Sequence, residues 1–263
     1  MIVSVTKQFF RNRFPRQFSF VQARLSIAGV FGLHFTVGTI VLIGSMWLFG
    51  GISEDLINSD PLILVDRIIS ELFRSHANAQ FTTVMQFVSA LASTGTVCVL
   101  FSLAAGVLMY KRRWYWLLEL VLVAAGGMLL NLALKDLFDR ARPGWADPLM
   151  ALTGPGFPSG HTMMAALIYG FMAVYLVLAI ASWRWRAFIV TATVALVFLV
   201  ALSRMYLGAH YLSDVLAAMA AGTAWLALCL TAVETWRRHC ELKLAGGARA
   251  SVNGRSKRPN GLR

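Results

Sequence analysis

The 263-residue sequence predicts an all-α, polytopic membrane protein with six transmembrane helices. Apolar residues make up 58% of the chain and charged residues only 14%, whereas a soluble domain carries about 25% charged residues. Six apolar stretches approach or exceed the roughly 20 residues that cross a hydrocarbon core. The stretches cover residues 25–50, 81–110, 114–134, 162–183, 187–203 and 211–233. This composition excludes a soluble domain, and the +12 net charge lies mainly outside the apolar stretches, unlike a nucleic-acid-binding patch.

The segments that flank and connect these spans complete the predicted domain plan. Residues 1–24 form a basic N-terminal segment, and the stretch at 25–50 is too long for the 7–15-residue core of a signal peptide. Apolar residues recur at roughly helical spacing within 54–80, which predicts an amphipathic helix on the outer surface. The six-span domain covers 25–243, and the Gly-, Ser- and basic-rich tail at 244–263 is predicted to be disordered.

The distribution of charge predicts the orientation of the spans. With the N-terminus inside, the inner segments hold eighteen Lys and Arg residues and two acidic ones, and the outer segments hold six and nine. Cytoplasmic segments of membrane proteins carry an excess of Lys and Arg. We therefore expect both termini in the cytoplasm and the first, third and fifth loops outside.

Polar residues cluster in two of the outer loops, beginning at the end of the third span. Lys135 and Arg142 are seven residues apart, which is two helical turns, so both cations would project from one face. Arg140 lies between them, but we expect it to pair with the nearby Asp136 and Asp139 and leave it out of the predicted site.

The same loop ends in Pro158, Ser159, Gly160 and His161, immediately before the fourth span. The backbone N–H groups in the first turn of a helix have no partner within the helix. A helix N-terminus that begins with Ser and Gly is therefore a ready anion site.

The fifth loop contributes Arg204, His210 and Asp214. The histidine and the aspartate are four residues apart, on one face of the predicted sixth helix. The carboxylate can accept the Nδ1–H of the imidazole, which leaves Nε2 free as nucleophile or base. The planar guanidinium of Arg204 matches the geometry of a phosphate.

Three cations, a helix N-terminus and two histidines suit phosphoryl transfer. The cations would neutralise the equatorial oxygens, while one imidazole attacks phosphorus and the other protonates the leaving oxygen. A zinc site formed by His161, His210 and Asp214 is an alternative on ligand type, but the surrounding cations argue against a dication. We expect no metal and no cofactor.

The three segments together resemble the tripartite signature of the type 2 phosphatidic acid phosphatase (PAP2) superfamily. The resemblance spans about 80 residues, and the six-helix layout extends it over most of the chain and implies a PAP2-type helical core. The matching segments are Lys135-x6-Arg142-Pro143, Pro158-Ser159-Gly160-His161 and Ser203-Arg204-x5-His210-x3-Asp214.

The resemblance implies a role for each matching residue. His210 would form a phosphohistidine intermediate, Asp214 would orient it, and His161 would protonate the leaving group and later activate water. Residues expected to bind the substrate phosphate are Lys135, Arg142, Ser159, Gly160 and Arg204.

The resemblance also implies a substrate class. Bacterial membrane members of the superfamily dephosphorylate undecaprenyl pyrophosphate, phosphatidylglycerophosphate or phosphatidic acid at the outer face of the inner membrane, and we favour the first two. The expected partners are this lipid substrate and the bilayer, with no nucleic acid and no obligate protein partner. Two alternatives are a phosphotransferase from a polyprenyl pyrophosphate to a lipid such as lipid A, and a non-enzymatic lipid carrier, which would not need the intact histidines.

Overall fold

A computed structural model describes Arg24, Ser26 and residues 31–58, 61–145 and 154–256, with side chains described as far as residue 244. The regular structure of these residues is entirely helical, which confirms the predicted all-α class. All of the predicted N-terminal segment except Arg24 lies outside the described residues. The helices are α1 (Leu33–Asn58), α2 (Pro61–Ser75), α3 (Ala79–Ala90), α4 (Thr94–Tyr110), α5 (Trp114–Val121), α6 (Gly127–Phe138), α7 (Gly160–Ala179), α8 (Trp183–Tyr206) and α9 (Leu212–Ser256).

Six spans are found in the described residues, as predicted. The second span is two helices, because Ser93 caps α4 by accepting a hydrogen bond from the backbone N–H of Thr96. The third span joins α5 to α6 through a π-helical turn. The spans are Leu33–Asn58, Ala79–Tyr110, Trp114–Phe138, Gly160–Ala179, Trp183–Tyr206 and Leu212–Leu244.

The surface of the helices is apolar, while several charged side chains are buried. Trp47 is 80% exposed and Leu129 is 67% exposed, whereas Arg204 and Asp214 are 2% and 0% exposed. Lipid solvates apolar surface, and ionisable groups within a membrane protein face its interior. The chain is therefore a multi-pass membrane protein.

The structure divides the chain into two compact units, residues 41–229 and residues 1–40 with 230–263, whereas the sequence predicts one domain over 25–243. In the larger unit α7 and α9 approach closely at Gly222, where a Cβ would lie 3.2 Å from that of Ala166. Small residues allow such helix contacts in membranes. In the smaller unit Nε2 of His34 lies 3.4 Å from Oγ1 of Thr235.

The span boundaries differ from the predicted ones by several residues, and the largest differences are in the first and last helices. Helix α1 begins at Leu33 and continues to Asn58, whereas the predicted span covers 25–50. Ile52 and Ser53, which lie beyond the predicted end, are buried, and this packing extends the helix. Helix α9 continues to Ser256, which corrects the expectation of disorder from residue 244 up to that point. Residues 257–263 lie outside the described part of the chain.

The amphipathic helix predicted within 54–80 is α2, Pro61–Ser75. Among its fifteen residues the buried one is Asp66, whose exposed fraction is 1%. An amphipathic helix normally buries an apolar stripe. A polar interaction therefore contributes to holding α2 in place.

Candidate active site

The predicted site residues come together at one end of the larger unit. Lys135 lies near the end of α6, His161 in the first turn of α7, Arg204 in the last turn of α8 and Asp214 in the first turn of α9. Successive spans run in opposite directions, so these four helix ends lie on the same side. His161 lies close enough to four of these side chains to interact with them electrostatically; they are Lys135, Arg142, Arg204 and His210.

His210 is buried, and a charged residue lies beside each of its ring nitrogens. Nε2 is 3.3 Å from Nη1 of Arg142. A guanidinium can only donate hydrogen bonds, so Nε2 is the acceptor and carries no proton. Nδ1, which then carries the proton, is 3.4 Å from Oδ2 of Asp214, an ion-pair distance without the geometry of a hydrogen bond. Burial lowers the pKa of His210 to about 4, with Arg204 and Arg142 adding to this effect and Asp214 opposing it.

Asp214 is completely buried and its two carboxylate oxygens have different partners. Oδ1 accepts a hydrogen bond of 2.6 Å from Nη1 of Arg140. Oδ2, the oxygen nearer His210, accepts one of 2.9 Å from the backbone N–H of Tyr211. The backbone of Ser159 donates to the carbonyl of Asp214 at 3.1 Å, so the start of α9 is tied to the start of α7.

The expected pairing of Arg140 with Asp136 and Asp139 is wrong. Arg140 bonds instead to Asp214 and to Asp66 of α2, at 2.6 and 2.7 Å. Asp139 has a left-handed backbone (φ 36°), which ends α6 and turns Arg140 away from the face of that helix. Burial opposes the charge on Arg140, but the two carboxylates outweigh burial and raise its pKa.

Backbone carbonyls hold the side chains of Lys135 and Arg142. Arg142 donates to the carbonyls of Gly154, Pro155 and Ala209 at 3.0, 3.2 and 3.1 Å. Nζ of Lys135 donates to the carbonyl of Pro155 at 2.6 Å. Lys135 and Arg142 therefore share one acceptor. The prediction that they project from one helical face is wrong, because α6 ends at Phe138 and Arg142 lies in the loop that follows.

Arg204 is buried with only part of its guanidinium satisfied. Nη1 donates to the hydroxyl of Ser89 at 2.7 Å. Nε is buried and has no hydrogen-bond partner among the described residues. An unsatisfied buried donor costs about 1–3 kcal/mol, more when it is charged. An anion in the site would satisfy it.

The start of α7 leaves backbone donors available. Ser159 is the N-cap residue, but its side chain caps no backbone N–H and its hydroxyl lies 3.1 Å from that of Thr162. At Gly160 a Cβ would lie 3.3 Å from Oδ1 of Asn131, a tight fit that favours glycine. His161 is half-buried, and its imidazole has no hydrogen-bond partner within the described residues.

Two further features bear on the ligand. No three His, Cys, Asp or Glu residues of the described chain are grouped to hold a metal ion, and His161, His210 and Asp214 form no such group. An apolar cavity of about 250 Å³ lies between α1, α6 and α9, and its lining includes Leu134, adjacent in sequence to Lys135.

Several known proteins are similar to this chain in sequence or in fold. The family model described as the PAP2 superfamily matches residues 116–238. The chain is 32% identical over 182 residues to phosphatidylglycerophosphatase B of Bacillus subtilis, a match that covers 68% of this chain and 88% of that protein. The chain belongs to the PAP2 superfamily. Another relative, at 29% identity over 170 residues, is an undecaprenyl-diphosphatase of Sulfolobus acidocaldarius, with 63% of this chain and 78% of that protein covered.

A solved structure supports the PAP2 fold. The crystal structure of the transmembrane PAP2-type phosphatidylglycerolphosphate phosphatase of Bacillus subtilis matches with a TM-score of 0.62 and 28% identity. The match covers 73% of this chain and 93% of that one. The six-span architecture is therefore that of a PAP2 membrane protein.

Proposed function

We propose that this PAP2 protein is a lipid phosphate or pyrophosphate phosphatase that works through a phosphohistidine formed on His210. One observation carries the proposal. The buried imidazole has its unprotonated Nε2 beside the guanidinium of Arg142 and its Nδ1 beside the carboxylate of Asp214. This geometry supplies a neutral nucleophile at the place where a phosphate anion would be held.

The substrate phosphate would bind among cations and backbone donors. Arg204 offers its unpaired Nε, and the first turn of α7 offers amides that have no side-chain cap. These groups would neutralise the charge on the equatorial oxygens, so the chemistry needs no metal. The phosphate-binding set is Lys135, Arg142, Ser159, Gly160 and Arg204.

In the first step the Nε2 lone pair of His210 attacks phosphorus, and the bond from phosphorus to the leaving oxygen breaks. The protonated imidazole of His161 gives its proton to that oxygen. The product that leaves is a lipid alcohol from a monoester or a lipid monophosphate from a pyrophosphate. Asp214 stabilises the positive charge that develops on the attacking imidazole.

In the second step water attacks the phosphohistidine. The now neutral His161 removes a proton from the water, and the phosphorus–nitrogen bond breaks with its electron pair returning to Nε2 of His210. Inorganic phosphate leaves, and the protonation states of both histidines are restored.

The lipid substrate follows from the position of the site. The apolar cavity beside the end of α6 would hold part of an acyl or prenyl chain while the headgroup reaches Lys135. The names of the relatives make undecaprenyl pyrophosphate and phosphatidylglycerophosphate our preferred substrates. The charge distribution supports an inner-membrane protein with cytoplasmic termini and a site at the outer face.

The test is phosphate release by the purified protein in detergent with EDTA present. Undecaprenyl pyrophosphate, phosphatidylglycerophosphate and phosphatidic acid are supplied in parallel. We expect EDTA-resistant release that is abolished in His210→Ala and His161→Ala, while His76→Ala, at an exposed histidine of the same chain, retains wild-type turnover. Near wild-type activity in either site variant would contradict the mechanism.

Mass analysis of the lipid products separates hydrolysis from phosphotransfer. Hydrolysis releases inorganic phosphate, whereas a phosphotransferase would place the phosphate on an added acceptor lipid such as lipid A. Transfer without release would replace the phosphatase proposal with the transferase alternative. Neither release nor transfer by folded protein would contradict both.

A further inference from the structure

A buried network of ion pairs extends from the proposed active site to α2. Arg140 lies at its centre, with Nη1 bonded to Asp214 and Nη2 to Asp66. Asp66 also accepts hydrogen bonds from the backbone N–H and the hydroxyl of Ser213, at 2.9 and 2.5 Å. Both carboxylates are at most 1% exposed, and the side chain of Arg140 is 11% exposed. The proposed reaction assigns no chemical step to Asp66, Arg140 or Ser213.

The same face of α2 contacts the loop at a second point. Ser70 follows Asp66 by one helical turn, and its hydroxyl accepts a hydrogen bond of 2.8 Å from Nε1 of Trp145. Asp66 and Ser70 therefore hold both ends of the segment 140–145. Arg142, the residue that contacts Nε2 of His210, lies within this segment.

Trp145 extends the contact toward the loop that carries His210. Its ring covers Gly208, where a Cβ would lie 2.8 Å from the ring atoms. Gly208 also has a positive φ of 66°, a backbone conformation that residues with a side chain rarely adopt. Gly208 precedes His210 by two residues. Helix α2 therefore contacts, directly or through Trp145, both segments that position the imidazole.

We propose that Asp66 and Arg140 are positioning residues, with Arg140 bridging α2 to Asp214 and so fixing the carboxylate that orients His210. This inference rests on the proposed phosphatase function. Arginine suits the bridge because its fork presents two N–H groups to two carboxylates at once. The guanidinium carbon also lies 4.6 Å from the ring centre of Tyr211, which fixes its plane.

The bridge has an electrostatic consequence at His210. Without Arg140, the negative charge of Asp214 is less compensated, so the imidazolium is favoured and its pKa rises. Without the charge of Asp66, Arg140 compensates Asp214 more fully, so the pKa of His210 falls. A purely structural role predicts no such opposite shifts. The charged and titratable groups that face His210 are Asp214 on α9, Arg204 on α8, His161 on α7 and Arg142 in the loop.

The first arm of the test measures kcat and KM for Asp66→Asn, Arg140→Gln and the double variant. The control is Glu71→Gln, an acidic residue of the same helix whose side chain is 69% exposed. We expect Arg140→Gln to lose about 10- to 100-fold in kcat with little change in KM, the range known for outer hydrogen-bond partners of metal-bound histidines. Asp66→Asn should lose less.

The double variant tests whether Asp66 acts through Arg140. If so, its kcat should be no lower than that of Arg140→Gln alone, because coupled residues are not additive. If the losses in kcat of the two single variants add in the double variant, the proposed bridge is contradicted. Arg140→Lys serves as a second variant if Arg140→Gln does not fold. A single ammonium cannot reproduce the two-sided fork, so wild-type kcat in Arg140→Lys would also overturn it.

The second arm is independent of turnover. Titration of ¹⁵N-histidine-labelled protein in detergent micelles, with His210→Ala to assign the signal, reports the pKa of His210. We expect a higher value in Arg140→Gln and a lower one in Asp66→Asn. Absence of phosphate release by the wild-type chain would contradict only the proposed function, because the titration still tests whether Arg140 connects Asp66 to Asp214 and His210. Unchanged titrations in both folded variants would overturn the bridge alone.

Discussion

Two clusters of ion pairs in this chain have the same short distances and very different surroundings. Arg140 joins Asp66 and Asp214 at 2.7 and 2.6 Å, with side chains that are 0–11% exposed. The second cluster, on α9, has distances of 2.6–2.8 Å and side chains that are 20–59% exposed. Its members are Glu234, Arg237, Arg238 and Glu241. Distance alone therefore says little about what an ion pair contributes.

Burial and sequence separation distinguish the clusters. Loss of one partner from a buried pair leaves an uncompensated charge and costs about 3–5 kcal/mol, whereas exposed pairs contribute about 0–1 kcal/mol. Arg140 is 74 residues from each of its two carboxylate partners, so the buried cluster joins three parts of the fold. The exposed pairs join residues three or four positions apart on one helix. The buried cluster includes Asp214, a residue of the site itself.

The largest effect is expected from Asp214→Asn, which keeps the shape of the side chain and removes its charge. The amide can no longer stabilise the positive imidazole of His210 as it attacks phosphorus. In a histidine–aspartate pair of a hydrolase, this change costs about 10,000-fold in kcat. Steady-state phosphate release from the preferred lipid measures the loss, and Arg140 keeps Asp66 as a partner, so we expect the variant to fold.

The matched control for this change is Asp139→Asn, at an exposed aspartate that ends α6. Thermal unfolding in detergent should show both variants folded. Equal kcat in Asp214→Asn and Asp139→Asn would show that the buried carboxylate has no part in the chemistry, and the contrast between the two clusters would then concern stability alone.

A smaller effect is expected in the pH dependence of kcat/KM. The proposed nucleophile, His210, must be neutral to attack, and burial with Arg204 and Arg142 lowers its pKa to about 4. Protonation of His210 should therefore reduce the rate only in acid well below neutrality. Arg142→Gln removes one of these cations, so the pKa of His210 rises and the acid limb of the profile moves to higher pH.

Arg67→Gln is the control for the pH experiment, because Arg67 is an exposed cation of α2. Its acid limb should coincide with that of the wild type. An acid limb that stays in place, or moves to lower pH, in Arg142→Gln would mean that this guanidinium does not act on the imidazole.

The motif residues were predictable from the sequence because each lies within a few positions of a span boundary. Alternation of six spans brings those boundaries to one side, so Lys135, His161, Arg204 and Asp214 meet without any knowledge of tertiary contacts. Their types and spacings alone indicate phosphate chemistry. The amphipathic periodicity of 54–80 likewise predicted α2.

Asp66 and the partners of Arg140 were not predictable in the same way. Local spacing favoured Asp136 and Asp139 as partners, but the left-handed turn at Asp139 directs Arg140 toward residues distant in sequence. Neither the turn nor the 74-residue separation leaves a periodic signal. A lone acidic residue on the buried face of an amphipathic helix was the available clue. The length of α9 was missed because Gly and basic residues in the tail indicated disorder.

The smallest effect is expected at the exposed cluster, in Arg237→Gln. This change removes the ion pairs of Arg237 with Glu234 and Glu241, but Glu234 keeps Arg238, and solvent can take the place of the lost partner. The free energy of unfolding in detergent should fall by less than about 1 kcal/mol, and kcat should be unchanged. Arg140→Gln, measured alongside, should lose both stability and kcat. If Arg237→Gln loses as much stability and kcat as Arg140→Gln, burial does not determine what an ion pair contributes here, since the distances in the two clusters are the same.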